Sequence, residues 1–246
     1  MRYLILSDIH SNFEALESAL EAAAGSYDTI ICCGDIVGYG PDPNAVTDWV
    51  RAHVAITIRG NHDRAAVGLE NLEWFNPVAR DAAIWTKREL TPENGGYLRG
   101  LARGPMLVDS FVIAHGSPLD EDGYVISPTD AAYTFPYLER ELTFFGHTHL
   151  QGGFVWSRLR VRPIPKPTAQ HADSTFQIEP DEAYLANPGS VGQPRDGDPR
   201  AAFLIYDTST RCLHYHRVPY DIAAVQKKIR HARLPDVLAD RLSVGR

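Results

Sequence analysis

Tyr3-Leu4-Ile5-Leu6-Ser7-Asp8-Ile9-His10-Ser11, followed by Phe13, Leu16, Ala19, Leu20 and Ala23, has the pattern of one buried strand running into one amphipathic helix. Four consecutive apolar residues suit a strand buried on both faces, and the later residues recur at helical spacing. Ser11 stands where that helix needs an N-cap acceptor. Asp8 and His10 alternate between the two elements, so both side chains leave an extended strand end on the same side.

The same unit recurs outward from this stretch. Residues 29–33 read as a second strand, leading through Gly34-Asp35 into a helix over 43–52, and residues 54–58 read as a third strand ending in Gly60-Asn61-His62-Asp63. Strand, helix, strand in this order argues for a parallel sheet in an α/β fold. Residues 64–103 read as helical, with breaks expected at Pro77, Pro92 and Gly95-Gly96, and with Trp74, Phe75 and Trp85 as helix-packing side chains. Apolar runs at 111–114 and 143–145 then deliver His115-Gly116 and Gly146-His147-Thr148-His149. Further strands are expected at 153–156, 183–186, 201–206 and 213–218, with a last helix at 222–232. Residues 162–181, with four prolines, read as a loop or irregular hairpin. His171, His214 and His216 match no such pattern and read as structural or exposed.

Asp, His and Asn therefore gather at predicted strand ends, where open α/β sheets place their ligands. Taken singly, an Asp after a strand is a cap or turn residue and a His-Gly pair is a turn. Five such fragments in one order are a different matter. Carboxylate, imidazole and amide oxygen suit Mn²⁺, Fe or Zn²⁺ bound through mixed N and O atoms. Two divalent ions roughly 3.5–4 Å apart need a carboxylate between them and can share a water whose pKa falls towards neutrality. Asp35 is the natural bridge.

The five fragments resemble the sequence blocks of the calcineurin-like metallophosphoesterases, and Asn187-Pro188-Gly189-Ser190-Val191-Gly192 resembles a further stretch of bacterial members. The resemblance implies two packed mixed β-sheets flanked by helices, a four-layer sandwich. It implies one ion held by Asp8, His10, Asp35 and His149 and another by Asp35, Asn61, His115 and His147, with Mn²⁺ first and Fe, Zn²⁺ or Ni²⁺ as alternatives. His62 would face the substrate phosphate as hydrogen-bond or proton donor. Phosphoprotein phosphatases and symmetrical dinucleoside tetraphosphatases open with Gly-Asp-x-His-Gly, whereas this chain has Ser7-Asp8-Ile9-His10-Ser11. The former also carry Asp and Arg in the second block, where Gly38-Tyr39 stands here. A phenol cannot grip phosphate as a guanidinium does. The small bacterial phosphodiesterase branch is the better match, with a dinucleoside polyphosphate or protein phosphatase next and a non-catalytic scaffold of the same fold third. Tyr39 and Arg64 are candidate substrate contacts, Tyr39 by stacking and Arg64 by pairing with phosphate. Arg195, in a glycine-rich loop, is a further candidate whose direction the sequence does not fix.

Composition sets the remaining bounds. With 246 residues, 44% hydrophobic, and neither repeat nor low-complexity linker, the chain reads as one domain over 1–246. Its net charge of −7 would become −3 on adding the four charges of two divalent ions, so attraction for a phosphate ester or nucleotide would be local. No extended basic surface for long nucleic acid is evident. Three cysteines, two of them adjacent at Cys32 and Cys33, neither pair fully nor show zinc-site spacing. No apolar run reaches membrane-span length and the start does not read as a signal peptide, which makes the cytoplasm the expected compartment. Oligomeric state is not encoded in any of these features.

Overall fold

The computed structural model describes residues 1–158 and 160–246. In chain order the elements are β1 (Arg2–Leu6), α1 (Phe13–Ala23), β2 (Thr29–Cys32), α2 (Pro43–His53), β3 (Ile56–Thr57), α3 (Asn61–Ala66), α4 (Pro77–Glu89) and α5 (Pro92–Arg99). They continue with β4 (Met106–Val108), β5 (Phe111–Ala114), α6 (Pro128–Thr134), β6 (Leu142–Phe145), β7 (Gly152–Ser157), β8 (Arg160–Pro163), β9 (Asp173–Gln177) and β10 (Ala183–Asn187). The last are β11 (Ala201–Asp207), β12 (Cys212–Val218), α7 (Ile222–His231) and α8 (Asp236–Asp240).

These strands form two six-stranded sheets, ordered β3-β2-β1-β11-β12-β9 and β4-β5-β6-β10-β7-β8. In the first, β1, β2 and β3 are parallel and β11 joins antiparallel. In the second, β5, β6 and β10 are parallel and β7 joins antiparallel. The parallel trio forms one side of the first sheet and the centre of the second, and the carboxyl ends of these trios carry the Asp, Asn and His fragments.

The period-two alternation of each strand builds the layers. Tyr3 and Ile5 of β1 point to a core shared with Phe111, Ile113 and Phe144 of the other sheet, while Leu4 and Leu6 face Leu16 and Ala19 of α1. Phe145, adjacent to Phe144, points the opposite way with Ala131 of α6. The result is helix, sheet, sheet, helix, the two mixed sheets expected from the sequence. A separate apolar cluster joins Ala79 and Ala82 of α4 to Val225 and Ile229 of α7, and Tyr39 packs on it.

Several local expectations are corrected. Asn12, not Ser11, caps α1, accepting the Ala15 N–H at 3.1 Å. Strand β3 is confined to Ile56–Thr57. The breaks expected at Pro77 and Pro92 are present, each proline starting a new helix as suits a residue with no N–H to lose, whereas Gly95 and Gly96 lie inside α5 rather than breaking it. The proline-rich 162–181 segment is no simple loop: β9 pairs antiparallel with β12, and β8 with β7. Both are edge strands, where proline is tolerated. Among the described residues no helix is long and apolar enough to cross a membrane. Cys32 and Cys33 are buried free thiols, and Cys212 is partly exposed.

Candidate metal centre

The strand ends converge as two donor groups that share one residue. Asp8, His10, Asp35 and His149 each offer an atom within 4.8 Å of the others, and Asp35, His115 and His147 do the same. All are buried. Asn61 joins the second group, its Oδ1 lying 3.2 Å from His115 Nε2. The distances are those of donors around a cation: His10 Nε2 is 3.1 Å from His149 Nε2, His149 Nε2 is 3.4 Å from Asp8 Oδ1, and His115 Nε2 is 3.4 Å from Asp35 Oδ2. Ligands at about 2.0–2.2 Å from one ion necessarily crowd each other in this way.

Local backbone explains how the chain aims them. Asp8, His10, Asp35, His147 and His149 all have left-handed backbone, with φ between 49° and 64°. Each such non-glycine residue costs on the order of 1–2 kcal/mol. Neighbouring loops hold them there: Asp8 N–H donates to Gly34 O at 3.0 Å and His10 N–H to Asp35 O at 3.1 Å. Asp63 locks the bridge from below. Its carboxylate accepts the N–H groups of Asp35 at 2.9 Å, Val37 at 3.1 Å and Gly60 at 2.9 Å. Gly60 allows close approach, since a Cβ there would sit 2.0 Å from Asp35 Oδ1. The Asn187–Gly192 segment splints two ligand loops together: Asn187 Nδ2 donates to Gly146 O and Thr148 Oγ1, and Ser190 Oγ donates to Asp8 O.

The residues present fit divalent cations. Three imidazoles donate Nδ1–H to backbone carbonyls, His10 to Val37 O at 3.0 Å, His115 to Cys33 O at 2.9 Å and His149 to Gln193 O at 2.6 Å. In a neutral ring that leaves an Nε2 lone pair aimed at the cluster. Nε2 of His147 is buried with no hydrogen-bond partner, and His10 and His149 present Nε2 to each other. Lone pairs gathered in this way suit a bound cation.

Electrostatics say the same. Burial holds His10 and His149 well below the ordinary histidine value and His147 down to about 3, so these rings stay neutral. Burial would also lower His115, but Asp35 outweighs it and raises His115 to about 10, while Asp35 itself is held well below its usual range. A proton on His115 thus fills the role of a cation beside the shared carboxylate.

The calcineurin-like phosphoesterase superfamily domain matches residues 1–211. The chain belongs to that superfamily. A metallophosphoesterase from Sphaerobacter thermophilus is 38% identical, with a TM-score of 0.85 and coverage of 100% of this chain and 99% of that one. An uncharacterized protein of Methanocaldococcus jannaschii is 34% identical across 98% of this chain and 97% of its own length. A hypothetical protein from Pyrococcus horikoshii shares the fold at 20% identity, with a TM-score of 0.77 and coverage of 100% and 98%.

Above the donor groups this superfamily member opens a cleft of about 320 Å³. His62, beside Asn61, lines it, with its backbone N–H donating to Asp35 Oδ1 at 2.8 Å and its buried ring Nδ1 without a partner. Burial pushes His62 down to about 4, so it is neutral in the resting protein rather than poised near neutrality. Tyr39 also lines the cleft but is 6% exposed, packed 4.3 Å from His62 and 4.8 Å from His10, with no open ring face for a substrate to stack upon. Arg64 is engaged by Glu70 at 2.6 Å, Asp122 at 2.6 Å and Glu121 at 3.0 Å, which leaves its charge spent within the protein. Both Trp74 and Phe75 line the cleft: Phe75 packs on the α4–α7 cluster as expected and stands edge-on to His62, whereas Trp74, expected to pack between helices, has 86% of its surface exposed. Tyr124 covers His147 at 4.2 Å. No local pattern marks Tyr124 in the sequence, whereas Asp63 was visible three residues into the helix after Gly60, a position that favours Asp.

Proposed function

We propose that this chain is a dinuclear metal-dependent phosphodiesterase, with Mn²⁺ the first candidate ion and small phosphate diesters or nucleotides as substrates. The supporting observation is the pair of buried donor groups meeting at Asp35. Asp8, His10, Asp35 and His149 would hold one ion, and Asp35, Asn61, His115 and His147 the other. Ions so held would withdraw charge from phosphoryl oxygens and make a nucleophile available from water at neutral pH.

The chain's own residues supply the rest. His62 binds beside the phosphoryl group, whose negative charge favours the imidazolium that burial alone disfavours. It then gives that proton to the departing ester oxygen, the step that allows an unactivated alcohol to leave. Trp74, Phe75 and Tyr124 form an apolar flank for the organic group of the ester. This flank favours diesters over inorganic or small monoesters.

The test compares initial rates on an aryl phosphodiester and its monoester, using chelator-stripped protein with and without Mn²⁺. Metal-dependent diester turnover that exceeds monoester turnover is expected. Hydrolysis of neither ester by fully loaded protein would sink the proposal.

A further inference from the structure

The arginines around the cleft differ in what neutralises them. Arg59 pairs with Glu121 at 2.6 Å, Arg217 pairs with Asp196, and Arg64 meets three carboxylates. Arg195 and Arg241 have no such partner among the described residues. Both guanidiniums converge on one neutral oxygen, Arg195 Nη2 lying 3.0 Å and Arg241 Nη1 3.1 Å from Gln193 Oε1. Both also stand over the Tyr39 ring, 5.4 Å and 5.6 Å from its centre. Nε of Arg195 is buried and unpartnered.

Two like charges held together against an amide and a phenol ring form an arrangement that an anion would complete. Arg195 is placed to receive it, because it lines the cleft with Asp35, Asn61, His62 and His147. Its own N–H donates to His149 O at 3.3 Å, so it rides on the loop of a metal donor. The next residue, Asp196, is anchored by Arg217 and by Lys166 at 2.9 Å, which fixes the loop from outside.

We infer that Arg195, backed by Arg241, is the anion-gripping group of the cleft and binds the phosphoryl group of the substrate, while Arg64 is a structural cation. The identity of the anion as a phosphoryl group rests on the phosphoesterase reading; the existence of an anion subsite does not. Arg195 contacts the anion directly. Arg241 acts through Gln193 and Tyr39 as a positioning residue.

The experiment titrates inorganic phosphate into metal-loaded protein by calorimetry, with bound metal measured on the same samples. Arg195→Ala should weaken phosphate binding about ten- to a hundredfold with metal content unchanged. Arg195→Lys should recover part of the loss, since it keeps charge without the planar fork, and Arg241→Ala should lose less than Arg195→Ala. Phosphate affinity of Arg195→Ala within about twofold of the parent would overturn the assignment. Diester turnover is followed in parallel. Turnover with unchanged phosphate affinity removes the subsite and leaves the hydrolase; lost phosphate affinity with no turnover in any variant removes the hydrolase and leaves the subsite.

Discussion

Replacing Asp63 by Ala removes a carboxylate that touches neither substrate nor metal donors' side chains, yet should disable the site. Three buried N–H groups, those of Asp35, Val37 and Gly60, would lose their acceptor. Each orphaned donor costs about 1–3 kcal/mol, which gives an upper bound well above the net effect. Burial works the other way, since it is the main reason the Asp63 acid is pushed up to about 7, and removing a buried carboxylate returns part of that desolvation. A net loss of about 3 kcal/mol is expected once the two are set against each other. For a chain of this size that lowers the melting temperature by about 6–12 °C. Urea unfolding of metal-free protein is the assay, with the m-value as a check that the transition itself is unchanged. Asp63→Asn keeps one acceptor and turns an amide N–H toward the others, so it should show a large part of the same loss. Divalent-ion affinity should fall in both variants, because the Asp35 backbone is no longer held. A stability loss under about 1 kcal/mol with unaltered metal affinity would refute this account of the loop.

Other outcomes follow from the same geometry. Because Asp35 raises His115 to about 10, metal uptake near neutral pH must expel its proton, so calorimetry in buffers of differing ionisation enthalpy should show about one proton released per chain, with a fraction more from Asp8, which burial raises to about 7. The sign is fixed: apparent affinity rises with pH, by up to about tenfold per unit, until His115 is neutral in the free protein. Gly60→Ala would put a methyl group 2.0 Å from Asp35 Oδ1, and should lower metal content while leaving the far-UV spectrum intact. His62→Asn should keep its metals and lose about 10²–10⁴ in turnover, and the loss should be smaller for a substrate whose leaving group needs no proton.

How much of this was legible in the chain depends on the range of the forces involved. The β1–α1 unit was readable because four apolar residues and a helical repeat are local signals, and the sheet trios followed from their repetition. The donor residues were readable because each stands directly after its strand. What escaped was set by contacts distant in sequence. Strand β9 is polar and proline-flanked and exists because β12 offers it an edge. Arg64 reads as a free cation until Glu70, Glu121 and Asp122 are folded against it. Trp74 reads as core until the cleft opens beside it, and Tyr124 meets His147 only across the second sheet's loops. The left-handed backbone at Asp8, His10 and Asp35 has only a weak signature, since Asp and His tolerate such angles better than most residues but adopt them only where surrounding contacts hold them there.

Mn²⁺ binding followed by calorimetry and electron paramagnetic resonance would show whether Asp35 joins two ions in one centre. Two Mn²⁺ ions per chain with a spin-coupled signal, reduced to uncoupled or single occupancy in Asp35→Asn, is the expected result. One ion per chain, or two that show no coupling in the parent protein, would contradict it.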